Sequence, residues 1–136
     1  MLEDYCQLQF ISEPARVRNM VHCLLHFIDS YNPVPEVRDD LKLIFSELLY
    51  NAVIHGNKGD CNKCVNVRIE ATGDCLRAFV QDEGLGFDYQ QKVKLPPSEF
   101  DAFSERGRGM SLVGALTDSL SFNETGNQIR FEKRLR

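Results

Sequence analysis

The sequence predicts an α/β fold of two layers, in which helices cover one face of a largely antiparallel, mixed sheet. Two observations support this fold class. Segments that alternate apolar and polar residues, as half-buried strands do, occur once near the start of the chain and later in two pairs joined by turn residues. Segments with the apolar periodicity of helices precede each of these pairs.

The first half of the chain is predicted to contain one strand and two helices. Residues 5–11 (YCQLQFI) alternate in the manner of a strand. Ser12 is expected to cap a helix with Pro14 in its first turn, and YNPVP ends this helix. A second helix is expected over residues 35–55, with an apolar face made of Val37, Leu41, Ile44, Phe45, Leu48 and Ala52.

The second half is predicted to contain two hairpins, with an irregular segment and a helix between them. VNVRIEA and CLRAFVQD are separated by the turn sequence TGD and form the first hairpin. Residues 83–106 are interrupted by Gly and Pro, and a stretch of this length without regular structure usually serves as a lid or binding loop. A helix is expected over residues 110–120. SLSFNE and NQIRFEKRL, joined by TG, form the closing hairpin.

The composition is that of one ordinary globular domain covering residues 1–136. Hydrophobic residues make up 43% and charged residues 26% of the chain. The net charge of −4 gives no electrostatic signature for binding nucleic acid or an anionic membrane. Neither a membrane-spanning apolar run nor a signal-peptide pattern is present, so we expect a cytoplasmic protein.

The five cysteines are an odd number, which favours reduced thiols over a disulfide framework. Cys61 and Cys64 form a CxxC pair, as in redox sites and half zinc sites, but no second pair accompanies them. We therefore interpret the spacing as coincidence. His22 and His26 also have ligand spacing, and a solvated or core-edge helix face is the preferred interpretation.

Three short motifs place polar or glycine residues where chemistry can occur. Glu47, Asn51 and His55 lie one turn apart beside the apolar face of the second helix. DEGLGFD directly follows a strand, and its glycines permit close approach of a ligand beside Asp82. RGRGMSLVGAL opens a helix, whose N-terminal amides and dipole favour an anion such as phosphate. Each motif taken alone also has a purely structural interpretation.

Together and in this order, the three motifs resemble those of the GHKL (Bergerat-fold) ATP-binding superfamily. ELLYNAVIHG looks like its N box, DEGLGF like its first glycine box and GRGMSLV like its second. The chain is most similar to the small anti-sigma factor serine-protein kinases of bacteria, because the resemblance extends from the first strand to FEKRL. Residues 87–106 are similar to the compact ATP lid of these proteins.

This resemblance implies binding of ATP and Mg²⁺. Asn51 matches the asparagine that coordinates Mg²⁺, and Glu47 matches the candidate general base. Asp82 matches the aspartate that accepts a hydrogen bond from the adenine amino group, and His55 is expected to support the phosphate side or to pack. The resemblance also places Gly84 and Gly86 near the base, and Gly107 and Gly109, with the amides of Met110 and Ser111, around the phosphates. Arg106 and Arg108 are nearby cations that could assist there.

The final hairpin departs from the family pattern. Family members usually have Gly-Thr there, and the threonine helps to hold the adenine contact, whereas this chain has Thr125-Gly126-Asn127. Either Thr125 or Asn127 substitutes for the threonine, or the contact is weaker.

The resemblance implies an ATP-dependent serine/threonine-protein kinase that phosphorylates a STAS-domain anti-anti-sigma protein and sequesters a sigma factor. Arg16 matches an arginine that contacts protein partners in related anti-sigma factors, although a merely exposed helical arginine is equally compatible with the sequence. Homodimerisation is a further expectation. Two alternatives are a nucleotide-gated binding module without phosphoryl transfer and a detached histidine-kinase catalytic domain.

Overall fold

The computed structural model describes residues 4–84 and 105–136. Its strands and helices, in chain order, are β1 Asp4–Ile11, α1 Val17–Asp29, α2 Pro35–Asn51, β2 Cys64–Thr72, β3 Cys75–Gln81, α3 Glu105–Leu116, β4 Ser119–Phe122 and β5 Gln128–Arg134. A 3₁₀ turn, Pro14–Arg16, precedes α1, and a π-helical turn, Ala52–Gly56, follows α2.

The strands form a five-stranded sheet in the order β1-β2-β3-β5-β4, with every neighbouring pair antiparallel. Alternate residues of β2 are buried, and β3 and β5 follow the same pattern, so one sheet face belongs to the core. The apolar faces of the helices pack against this face. The predicted two-layer α/β class is therefore confirmed.

Helix α2 is fixed to the sheet by its apolar face. Leu41, Ile44, Phe45 and Leu48 are fully buried, and the ring of Phe45 lies 5.4 Å from that of Phe131 on β5. Burying such a side chain contributes about 1.5–3 kcal/mol, so these positions set the rotation of the helix about its axis. As a result, the polar residues beside the apolar face lie at the edge of the core.

The second helix changes character before its predicted end. Its α-helical part ends at Asn51, and the next five residues form the π-helical turn, in which the Asn57 N–H donates to the Ala52 carbonyl at 2.8 Å. Single π turns within helices occur frequently at functional sites. The wider turn carries His55 and ends at Gly56.

Two local predictions were wrong. Ser12 does not cap a helix: its hydroxyl oxygen accepts a hydrogen bond from Asn57 Nδ2, its proton goes to the Lys63 carbonyl, and α1 begins only at Val17. The helix expected over residues 110–120 instead begins at Glu105 and ends at Leu116. Leu120 extended the apolar pattern of that helix in the sequence, but it belongs to β4, where it packs against the core.

Candidate functional site

A cleft of about 700 Å³ opens between α2, the π turn and α3. This volume lies within the range of small-molecule binding sites. The cleft is lined by four residues that were predicted as site residues. Three of them, Glu47, Asn51 and His55, belong to the first motif, and Gly109 belongs to the third. The other lining residues are Ser46, Tyr50, Ile54 and Leu112. The structure thus brings the first and third motifs to one place.

Asn51 is the most unusual polar residue of the cleft. It is 5% exposed, and among the described residues its Nδ2 atom has no hydrogen-bond partner. A buried polar group without a partner costs about 1–3 kcal/mol, which a bound ligand would recover. Rotation about the Cβ–Cγ bond exchanges the amide nitrogen and oxygen, so the side chain can also present an oxygen to a cation. Asn51 is therefore suited to binding a metal ion or a phosphate group.

Gly109 lies directly against the polar ridge of α2. A Cβ atom at this position would overlap Glu47 Oε2 and would lie 3.7 Å from Asn51 Nδ2. Only a residue without a side chain leaves room for the Glu47 carboxylate in its present position beside α3. The glycine therefore determines where the Glu47 carboxylate can lie.

We predict that Gly109→Ala displaces the Glu47 carboxylate without unfolding the protein. The overlapping atom is the end of a flexible side chain, and alanine is favoured over glycine in a helix by up to about 1 kcal/mol. The melting temperature should be unchanged or higher, while any phosphoryl transfer that depends on Glu47 falls about tenfold or more. Melting curves and transfer rates measured on the same preparations check both expectations.

Gly114→Ala is the matched control for this prediction. Gly114 lies in the same helix, and a Cβ atom there would meet only Leu120 Cδ2, at an ordinary 3.9 Å. Equal transfer rates in the two variants would contradict the importance of the Gly109 contact.

Asp82 lies at the end of β3, in a closely packed joint between the π turn and the loop that follows β3. It is 6% exposed, its Oδ1 accepts the Gly84 N–H at 2.8 Å, and its own N–H donates to the Asn127 carbonyl at 3.0 Å. A Cβ atom on Gly56 would overlap this carboxylate, and one on Gly84 would overlap the Gly56 carbonyl. Neither glycine has a positive φ, so close packing explains them and left-handed backbone does not.

The final hairpin reaches this joint through Asn127. Its Nδ2 donates to the Gly84 carbonyl at 3.3 Å, and its Oδ1 accepts hydrogen bonds from Thr125 Oγ1 at 2.9 Å and Asn123 Nδ2 at 2.7 Å. Thr125 therefore orients Asn127, and Asn127 contacts the glycine loop. Of the two substitutes considered for the family threonine, the described contacts favour Asn127.

We predict that Asn127→Ala weakens binding of an adenine nucleotide about three- to tenfold, since it removes the contact with Gly84 and the oxygen that Thr125 and Asn123 hold in place. Titration with ADP measures this effect. Gln128→Ala is the control, because it removes a hydrogen bond between β5 and Gln81 of β3 without changing the contact with Gly84. Equal affinities in both variants would contradict a specific role for Asn127.

Sequence reasoning missed a second buried asparagine, Asn57. Its Nδ2 donates to Ser12 Oγ at 2.8 Å and to the Cys64 carbonyl at 3.0 Å, and its Oδ1 accepts the Glu83 N–H at 2.7 Å. Asn57 and Ser12 are both fully buried. No motif or spacing indicates this residue, because its partners are distant in the sequence and it lies in a loop of glycine and charge.

The remaining predicted residues of the second glycine box lie in α3. The side chain of Met110 is buried in the core and that of Ser111 is partly exposed. Their N–H groups belong to the second turn of the helix, where amides normally bond within the helix, so phosphate binding by these amides stays a prediction. Arg106, Gly107 and Arg108 lie in the first turn, and the side chains of the two arginines are outside the described part.

Gly86 and most of the interval predicted to form an ATP lid, residues 87–106, are outside the described residues. Arg16 ends the 3₁₀ turn before α1, where it is exposed and pairs with Glu13 at 3.0 Å. Its proposed contact with a protein partner stays a prediction.

The cysteines are all free thiols, with Cys61 exposed and Cys64 partly buried. Burial, with a smaller contribution from Cys23, raises the pKa of the Cys6 thiol, and burial is also the main cause of the raised pKa of Cys75. A raised pKa disfavours the reactive thiolate form. Within the described ranges, no three His, Cys, Asp or Glu side chains are grouped to hold a metal ion. His22 and His26 are exposed, which confirms the solvated helix face.

Comparison with known proteins places these motifs in a family. A family model described as a histidine kinase-like ATPase domain matches residues 10–133. The serine-protein kinase RsbW of Bacillus subtilis is 36% identical over 138 residues, which cover 97% of this chain and 86% of that protein. The anti-sigma F factor of Clostridium perfringens is 29% identical over 138 residues, with coverage of 98% and 99%. Among the helices of the described residues, none is long and apolar enough to cross a membrane.

Proposed function

Because the chain belongs to the family of histidine kinase-like ATPase domains, we propose that it is an ATP- and Mg²⁺-dependent serine/threonine-protein kinase of the anti-sigma factor type. Its protein substrate is a STAS-domain anti-anti-sigma protein. When it is not bound to that substrate, it sequesters a sigma factor. The similarity to a serine-protein kinase and to anti-sigma F factors supports this assignment.

The observation that carries the proposal is the convergence of Glu47, Asn51 and Gly109 in one cleft. Phosphoryl transfer requires little covalent chemistry from the protein beyond positioning, neutralisation of phosphate charge and a group that orients or deprotonates the acceptor hydroxyl. The Glu47 carboxylate and the Asn51 amide, which has no partner within the described ranges, lie one helical turn apart beside the N-terminal half of α3 and provide this set of groups.

We assign Asn51 to the metal side of the site. Its buried amide, without a hydrogen-bond partner among the described residues, can present an oxygen to Mg²⁺, which would neutralise charge on the ATP phosphates. His55 lies half-buried in the same cleft and is assigned to support of the phosphate side. The first turn of α3 contributes the positive end of its dipole.

Glu47 is the proposed general base. The serine or threonine oxygen of the partner forms a bond to the γ-phosphorus, the bond from that phosphorus to the β–γ bridging oxygen breaks, and ADP leaves. The hydroxyl proton passes to the Glu47 carboxylate. Glu47 is partly exposed in the cleft, so the hydroxyl of a docked protein can approach it.

Asp82, with Gly84 and Asn127, is assigned to the adenine side. A buried carboxylate that accepts the amino group of adenine would select against guanine, which presents a carbonyl at that position. Arg16, on the exposed turn before α1, is the proposed contact with protein partners, and a homodimer is the proposed assembly.

Incubation with labelled ATP, Mg²⁺ and a cognate STAS protein is the direct test of the kinase assignment. We expect one phosphate per partner, stable in acid and mapped to a serine or threonine. An acid-labile phosphate would instead identify a histidine acceptor. No transfer, together with ATP-dependent partner binding, would identify the alternative, a nucleotide-gated binding module; the replacement of the family threonine by Asn127 favours this second candidate.

A further inference from the structure

We propose that Asn57 is a positioning residue for the nucleotide-binding loop formed by residues 82–84. It holds this loop in the shape that receives the adenine base, so its loss should weaken nucleotide binding more than it slows phosphoryl transfer. This inference rests on the proposed assignment of Asp82 to the adenine side of the site.

The carboxamide of Asn57 is fully used. Its two donors reach Ser12 Oγ and the Cys64 carbonyl, and its oxygen accepts the Glu83 N–H in the shortest of the three bonds, at 2.7 Å. Because the side chain is 0% exposed, water cannot replace these partners without a local rearrangement. One side chain thus joins the end of β1, the start of β2 and the loop after β3.

A second hydrogen bond also attaches the loop to the start of β2. The Glu83 side chain accepts the Cys64 N–H at 2.5 Å, while Asn57 binds the carbonyl of that residue. Both the main chain and the side chain of Glu83 are therefore fixed relative to the start of β2.

Asn57 also connects the loop to the cleft helix. Its N–H donates to the Ala52 carbonyl in the π turn, and the preceding residue, Gly56, is the one against which the Asp82 carboxylate packs. A shift of Asn57 would therefore reach Asp82 by two routes, through Gly56 below the carboxylate and through Glu83 next to it in the chain.

The test compares Asn57→Ala with two controls by titration with ADP and ATP in Mg²⁺. We expect Asn57→Ala to raise the Kd about tenfold and to lower the preference for ATP over GTP, while kcat at saturating ATP changes by less than about threefold. A side chain that only stabilises the fold would lower the active fraction and the melting temperature without changing the affinity of the folded molecules.

Ser12→Ala and Lys133→Met are the controls. Ser12→Ala removes the Asn57 contact on the side away from the loop. Lys133→Met removes partly buried bonds to the Leu116 carbonyl at the end of α3 and to Asp40 of α2. Both should lower the melting temperature and leave the nucleotide Kd within about twofold. Glu83→Ala covers the case in which Asn57→Ala does not fold. It removes the other attachment of the loop, the hydrogen bond to the Cys64 N–H, at an exposed side chain, and it should raise the Kd about threefold or more.

Two results would overturn the proposal: a Kd for Asn57→Ala no higher than that of Ser12→Ala or, where Asn57→Ala does not fold, a Glu83→Ala variant that binds ADP as tightly as the wild type. Wild-type protein that binds ATP and transfers no phosphate would overturn the kinase assignment alone, because the comparison of affinities remains valid. Wild-type protein that binds no adenine nucleotide would overturn both.

Discussion

Replacing Glu47 with Gln is expected to lower the rate of phosphoryl transfer about 10²–10⁴-fold while nucleotide binding remains near that of the wild type. The amide has the size and shape of the carboxylate and can still hydrogen-bond to an acceptor hydroxyl, but it cannot take the proton. Oε2 of Glu47 lies against Gly109, so the isosteric replacement should also leave the packing of α3 intact. Single-turnover transfer to the partner protein, with the ADP Kd measured separately, separates chemistry from binding.

Glu36→Gln is the matched control for this result. Glu36 lies in the first turn of the same helix, where it is exposed and far along the chain from the cleft, and its substitution should leave transfer unchanged. Transfer by Glu47→Gln at the rate of Glu36→Gln would remove Glu47 from the catalytic assignment. A parallel loss of ADP affinity would instead indicate that Glu47 helps to bind the nucleotide.

The position of Glu47 was accessible from the sequence because helical periodicity is a local property. Once the apolar residues of α2 are known to face the core, Glu47, Asn51 and His55 must lie along its edge, and the structure places all three in the cleft. The approach of Gly109 to this ridge was not accessible in the same way. It depends on how α3 packs across α2, which no spacing within either motif determines.

The ends of the helices and strands also depended on contacts that the sequence does not reveal. The interior of each strand and helix followed its apolar pattern, but the ends were decided by distant partners. Ser12 could have capped a helix locally, but it hydrogen-bonds to Lys63 and Asn57 instead. Leu120 belongs to β4 because that strand pairs with β5. Local propensity is a weak prior wherever such tertiary bonds compete with it.

The two buried asparagines illustrate what sequence cannot distinguish. Asn51 and Asn57 are six residues apart, and both are almost inaccessible to solvent. Every side-chain donor and acceptor of Asn57 is bonded within the protein, whereas Asn51 Nδ2 has no partner in the described part of the chain. A fully bonded amide stabilises a fold, and an unbonded one is available to a ligand.

This difference leads to an expected result for Asn51→Ala. Removing a buried amide nitrogen that has no partner in the described structure relieves an unfavourable desolvation of about 1–3 kcal/mol, which offsets the packing lost with the side chain. The free protein should therefore keep a free energy of unfolding within about 1 kcal/mol of the wild type. Mg²⁺-dependent binding of ATP, and with it phosphoryl transfer, should fall by about two orders of magnitude or more.

Thermal unfolding with and without ligand measures both parts of this prediction, because a ligand that binds only the folded state raises the melting temperature according to its affinity. In the wild type, Mg²⁺ together with ATP should raise the melting temperature, and in Asn51→Ala the increment due to Mg²⁺ should disappear. Asn57→Ala provides the comparison, since loss of a fully bonded amide should destabilise the free protein. If Asn51→Ala destabilised the free protein as strongly as Asn57→Ala, the Asn51 amide would have a structural role, and its assignment to the metal would be wrong.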